Sequence, residues 1–188
     1  MRFSTSTPTL CMAADMNTPL RILAGLFVML CCSSQAAADT QAEYRLKAAF
    51  LYNFVAFTEW PADVANTLNV CVYGPDPFGE ELDKYRGKNV AGRSLAMRRV
   101  NSVDNLGSCQ VVFVARPVIG NLARVLDSLS GSPVLIVADS PGAARQGAAI
   151  NMSAEQSKVT FEANLAAARR NRLNLSSKLL RLASEVLQ

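Results

Sequence analysis

Apolar residues recur at helical spacing from position 41 onward. Tyr44, Ala48, Leu51 and Val55 form one stripe, and Phe50, Phe54 and Phe57 widen it. The spacing predicts a helix from Gln41 to Thr58, stopped at Trp60-Pro61 because proline disfavours helix in the residue before it. Most of this stripe is core, and its width leaves one edge for an interface. Leu68 to Tyr73 is a short β-rich run ended by Gly74-Pro75-Asp76-Pro77, followed by a helix from Phe78 to Tyr85 and a more polar strand from Ser94 to Val100. Cys109 to Ala115 and Val134 to Ala138 are nearly all apolar, as in strands covered on both faces. Between them Val118 to Leu129 is amphipathic and helical. Ala148–Met152 and Lys158–Glu162 are two closing strands whose short polar connection favours a hairpin. Helices over Leu165–Arg170 and Ser176–Leu187 complete the chain. Strands alternating with helices imply an α/β fold: a single domain with a mainly parallel sheet, helices on both faces in three layers, and a C-terminal strand pair and helices.

The first forty residues follow a different pattern. Arg21 precedes the apolar run Ile22–Cys32, and Ala36-Ala37-Ala38 supplies the small residues of a cleavage site. The run is about half the ~20 residues a spanning helix needs. Residues 1–38 are therefore expected to be a secretory signal peptide, better proportioned if it starts at Met16, and residues 39–188 a periplasmic domain without membrane insertion after cleavage. The residues before Cys31 and Cys32 are not the small ones that lipidation requires. Cys71 and Cys109 are then the two cysteines of the mature chain. In an oxidising compartment they are expected to pair, since no C-x-x-C spacing marks them as a redox couple. Their loop of about 40 residues is worth roughly 4 kcal/mol in the chain-entropy model.

Charge and residue inventory narrow the function. The formal net charge is +4, and the bases are scattered, with Arg98-Arg99 and Arg169-Arg170 the only adjacent pairs after the signal. No aromatic residues interleave them, so nucleic acid is not an expected partner. The chain has no histidine, which removes Ser-His-Asp and Cys-His mechanisms and His-containing zinc sites. No lysine has a serine three positions before it, and Gly87-Lys88-Asn89 lacks the remainder of a phosphate loop. Asp76, Glu80, Glu81 and Asp83 fit a turn and a helix start, where negative charge is favourable. No catalytic residue, cofactor or metal is expected.

The final third carries the most specific pattern, Lys158-Val159-Thr160-Phe161-Glu162-Ala163-Asn164-Leu165 leading to Arg169-Arg170 and then Leu173-Asn174-Leu175-Ser176-Ser177-Lys178-Leu179-Leu180. With Phe50-x-x-Asn53-Phe54-x-x-Phe57-x-x-Trp60-Pro61 and Val72-Tyr73-Gly74-x-Asp76-Pro77-Phe78-Gly79, it resembles the YfiR family of periplasmic repressors over essentially the whole mature chain. The resemblance implies binding to the periplasmic sensor region of a YfiN-type inner-membrane diguanylate cyclase. It implies release by a YfiB-type, OmpA-like outer-membrane lipoprotein, with cyclic-di-GMP and biofilm as the output. Homodimer formation stays open. Two stretches depart from the family pattern: Gln146 to Asn151, where a Gly-Gly pair is usual, and Thr160, where a base often precedes the Phe. Partner contacts are expected at Glu162, Arg169 and Arg170, around the apolar Ile150, Phe161, Leu173 and Leu175. For Glu162 the alternative is an internal pair with Arg169 or Arg170, and for Leu173 and Leu175 it is the core. A periplasmic small-ligand sensor, with a pocket at the strand ends beside the acidic turn, is the other functional class.

Overall fold

The structure, a computed structural model, describes residues 39–155 and 158–188; the signal segment expected at 1–38 lies outside them. Helix α1 covers residues 39–56 and turns its stripe inward, with Ala48, Leu51, Phe54 and Val55 buried. The chain then forms β1 (Thr58–Glu59), β2 (Thr67–Tyr73), α2 (Glu80–Asp83), β3 (Asn89–Val90) and β4 (Arg93–Val100). A 3₁₀ segment (Val103–Ser108) leads to β5 (Val111–Val114), and a second one (Arg116–Asn121) leads into α3 (Leu122–Ser128). After β6 (Leu135–Ala138) and α4 (Ala143–Gln146) come the hairpin strands β7 (Ile150–Glu155) and β8 (Lys158–Asn164). The last elements are α5 (Leu165–Arg170), β9 (Asn174–Leu175), α6 (Ser177–Leu180) and β10 (Glu185–Leu187).

Eight strands form one sheet in the order β10-β8-β7-β6-β5-β2-β4-β3, and β1 pairs with β9 in a separate ribbon. The neighbours from β4 through β7 run parallel, β8 turns back antiparallel on β7, and β10 lies parallel to β8. All four residues of β5 and all four of β6 are buried, which their unbroken apolar sequences require. One face packs under α1, through Leu51, Phe54, Val70, Phe113 and Phe161. The other packs under α3 and α4, through Val112, Leu122, Val125 and Ala143. The α/β layering with helices on both faces is therefore present. The disulfide joins Cys71 on β2 to Cys109 after the first 3₁₀ segment, with Cα atoms 6.0 Å apart, and both cysteines are buried.

Three elements differ from expectation. The helix expected over Val118–Leu129 opens as 3₁₀ from Arg116, Pro117 at its start, and becomes α-helical only at Leu122. The helix expected to end at Thr58 stops at residue 56, and Thr58 enters a strand facing Leu175. The final helix expected to reach Leu187 is one turn long. Ser184 then donates through both its amide and its hydroxyl to the Phe161 carbonyl, at 2.8 and 2.9 Å, and β10 forms against β8. The outer edge of β8 would otherwise present unpaired backbone groups, and covering it outweighs a weak helical period.

Candidate functional site

The carboxyl ends of β5 and β6 lie beneath α1, and the charges of all three elements meet there. On α1, Glu43, Tyr44 and Lys47 fall three and four residues apart and so share a face. Asp139 follows β6 directly, and Arg116 opens the segment after β5. Lys47 is 0% exposed, and its Nζ donates to Asp139 Oδ2 at 2.7 Å while also pairing with Glu43. The Tyr44 hydroxyl donates to the same oxygen at 2.9 Å, and Arg116 Nε reaches it at 3.2 Å and the Asp139 carbonyl at 2.8 Å. Burial, and then the Asp139 charge, push the Tyr44 phenol well above its ordinary value, so it stays protonated and donates. Four charged groups thus balance two against two, Lys47 and Asp139 buried and Glu43 and Arg116 reaching solvent, which fastens α1 to the sheet. Asp139 Oδ1 and Ser140 Oγ are buried without a hydrogen-bond partner among the described residues.

A polar chain leaves this clasp sideways. The Ser140 amide donates to Asn151 Oδ1, and Asn151 Nδ2 donates to Glu162 Oε2, each at 3.1 Å. Glu162 stands in register with Glu185 on β10, whose two carboxylate oxygens are held by Arg145 of α4 at 2.8 and 2.7 Å. The half-buried Glu162 carboxylate has no cation beside it among the described residues. Neither Arg169 nor Arg170 is paired with it. Both are exposed on α5, which follows β8 directly, and form no ion pair among the described residues. Ile150, Phe161, Leu173 and Leu175 lie in the core, Phe161 packing 4.9 Å from the Phe54 ring. Of the seven residues expected to contact a partner, Glu162, Arg169 and Arg170 reach solvent.

The acidic turn is neutralised from within. Arg99 donates to Asp76 Oδ2 through Nε and to Asp83 Oδ1 through Nη1, both at 2.8 Å, and Asp76 Oδ1 accepts the Phe78 amide. The sheet reverses direction of progress between β2 and β5, where open α/β sheets leave a crevice. Here it is filled. A Cβ on Gly74 would lie 2.6 Å from Val118 Cγ2, and Phe78 packs edge-on against Phe113.

Sequence reasoning missed the clasp. Its signal is Lys47 itself, a lysine inside the apolar stripe between Tyr44 and Leu51, together with an aspartate closing an apolar strand. Asn151 and the Arg145–Glu185 bridge carry no signal, because only strand register brings them together.

The model of the YfiR/HmsC-like family matches residues 44–184. Among solved structures, the chain is similar to a conserved domain protein from Vibrio cholerae O1 biovar El Tor, with TM-score 0.50, 9% identity, and coverage of 76% of this chain and 60% of that one. It is also similar to an ABC domain in complex with L-Trp from Streptococcus pneumoniae, with TM-score 0.45, 12% identity, and coverage of 64% and 55%. The chain spans little more than half the length of these structures, and the likeness to the Vibrio cholerae protein is one of fold alone.

Proposed function

The chain belongs to the YfiR/HmsC-like family, and from that premise we propose that it is a regulatory binding protein, a periplasmic repressor of a membrane enzyme. Its target is the periplasmic sensor region of a YfiN-type diguanylate cyclase, and a YfiB-type, OmpA-like outer-membrane lipoprotein releases the cyclase by sequestering the repressor. The family match over residues 44–184 carries this reading. Three further observations support it. The charges of Lys47, Glu43, Asp139 and Arg116 are spent on one another in a clasp that ties α1 to the sheet. The internal Cys71–Cys109 bridge suits an oxidising compartment. No helix among the described residues is long and apolar enough to cross a membrane.

The docking surface in this reading includes Glu162 on β8 and Arg169 and Arg170 on the helix that follows it, with Ile150, Phe161, Leu173 and Leu175 shaping it from beneath. A carboxylate held by one asparagine and no cation is completed by a partner's base, and such complementarity sets specificity. Deleting the gene in cells that express the cyclase is expected to raise cyclic-di-GMP; unchanged nucleotide levels would overturn repression. Glu162→Gln keeps an acceptor for Asn151 and removes the charge. It is expected to abolish repression with thermal stability changed by no more than ~0.5 kcal/mol, as for surface substitutions. Full repression by that variant removes Glu162 from the interface.

A further inference from the structure

Arg98, one of the two adjacent basic pairs, takes no part in the clasp or in the surface around Glu162. It lies on β4 in register with Cys71 and faces an open groove of about 660 Å³. The groove is lined by Arg98, Arg99, Asn101, Ser102, Asn105 and Ser108, with Val100, Asp104 and Gly107 completing it. Its walls are held firmly. Cys109, next to Ser108, is bonded to Cys71, and the Ser108 carbonyl accepts from Asn69 Nδ2 at 2.8 Å. Ser102 Oγ caps the 3₁₀ segment by accepting the Asp104 amide, and Val103 and Leu106 are buried beneath. The lining therefore needs little ordering before a ligand binds.

The charges of the groove identify the ligand class. Arg99 is satisfied by Asp76 and Asp83, and Asp104 faces Arg124 at 3.6 Å. Arg98 has no acidic partner among the described residues; its Nη1 donates to Ser108 Oγ at 2.6 Å, leaving the rest of its fork free. The surplus charge of the groove is that of Arg98. The other polar lining groups are hydroxyls, side-chain amides and one carboxylate, all suited to sugar hydroxyls. No aromatic ring lines it, so a planar base has nothing to stack on. We propose that this groove is a binding site for a small hydroxyl-rich anion, a sugar acid or sugar phosphate, whose anionic group is taken by Arg98 and whose hydroxyls are taken by Asn105 and Asp104. Its volume falls in the usual range for small-ligand sites.

The test is a ¹⁵N NMR titration of the protein purified from the periplasm with glucuronate, glucose 6-phosphate, glucose and inorganic phosphate. Glucuronate or glucose 6-phosphate is expected to shift the amides of residues 98–108 saturably at millimolar concentration or below, with glucose and phosphate at least about tenfold weaker. Arg98→Gln, with an unchanged melting temperature, is expected to weaken binding about tenfold or more, the loss corresponding to one charge-assisted contact of roughly 1.4 kcal/mol. Absence of saturable shifts with both acids overturns the proposal. So does undiminished binding in Arg98→Gln, or phosphate alone binding as tightly as its sugar ester, which would mark an adventitious ion only.

Discussion

Removing the Lys47 amine would leave Asp139 buried beside Tyr44 and a half-exposed Arg116, with its main counter-charge gone. Lys47→Met is therefore expected to cost about 3–5 kcal/mol in urea unfolding, the usual penalty for breaking a buried pair. Combining Lys47→Met with Asp139→Leu removes both charges and is expected to recover part of that loss; equal loss in both variants would show that charge is not the cause. Asp83 offers a milder test at the surface. Arg99, and after it Arg86, donates to its carboxylate and holds it below the ordinary range. The folded value is depressed, so the associated stability is full above the unfolded value of about 4 and is lost as pH falls through the folded one. In Arg99→Gln the Asp83 titration followed by NMR is expected to move back up.

At the scale of elements, two joints hold the strand ends. The disulfide fixes β2 to the 3₁₀ segment after β4, and Cys71→Ala is expected to cost about 2–4 kcal/mol, less than the chain-entropy value when residual unfolded structure intervenes. Two free thiols on titrating the unfolded, unreduced protein would contradict the bridge. Gly74 ends β2 at φ +92° with Val118 against it. Gly74→Ala adds both strain and a clash and is expected to destabilise by about 1–3 kcal/mol in thermal unfolding. The strands of the parallel sheet were legible because Cys109–Ala115 and Val134–Ala138 are apolar enough for both faces to be covered. The hairpin of β7 and β8 was legible from its short polar connection. The end of the chain was not: Leu179, Leu182, Val186 and Leu187 carry a helical period, but Val186 and Leu187 are claimed by the edge of β8. The clasp was hidden for a similar reason, since Lys47 and Asp139 lie 92 positions apart and only the packing of α1 across the sheet joins them.

For the whole molecule, the sheet separates a closed end from an open flank. The carboxyl ends of β2, β5 and β6 are covered by the clasp, Val118 and Phe78, whereas Glu162 on the β8 flank and the arginines of α5 reach solvent. On the proposed binding reading a stable body and a few solvent-facing charges suffice, so substitutions should separate into those that unfold the chain and those that only release the proposed target. The export reading is tested at this scale as well. Intact-mass analysis of the protein from cells is expected to show a mature chain beginning near Asp39. Retention of Ile22–Cys32, or an acyl chain on a cysteine, would contradict it.

The ribbon of β1 and β9 has a consequence for how the chain acquires its shape. Thr58 pairs with Leu175, and nearby Arg172 meets Asp63 across 109 positions of sequence. The exit of α1 is thus closed by residues far later in the chain, and such contacts raise the contact order. Loop closure must be completed before these contacts stabilise anything, which places folding on the slow side for a domain of this size. A slow-folding polypeptide remains threadable for longer, which suits the export proposed for this chain.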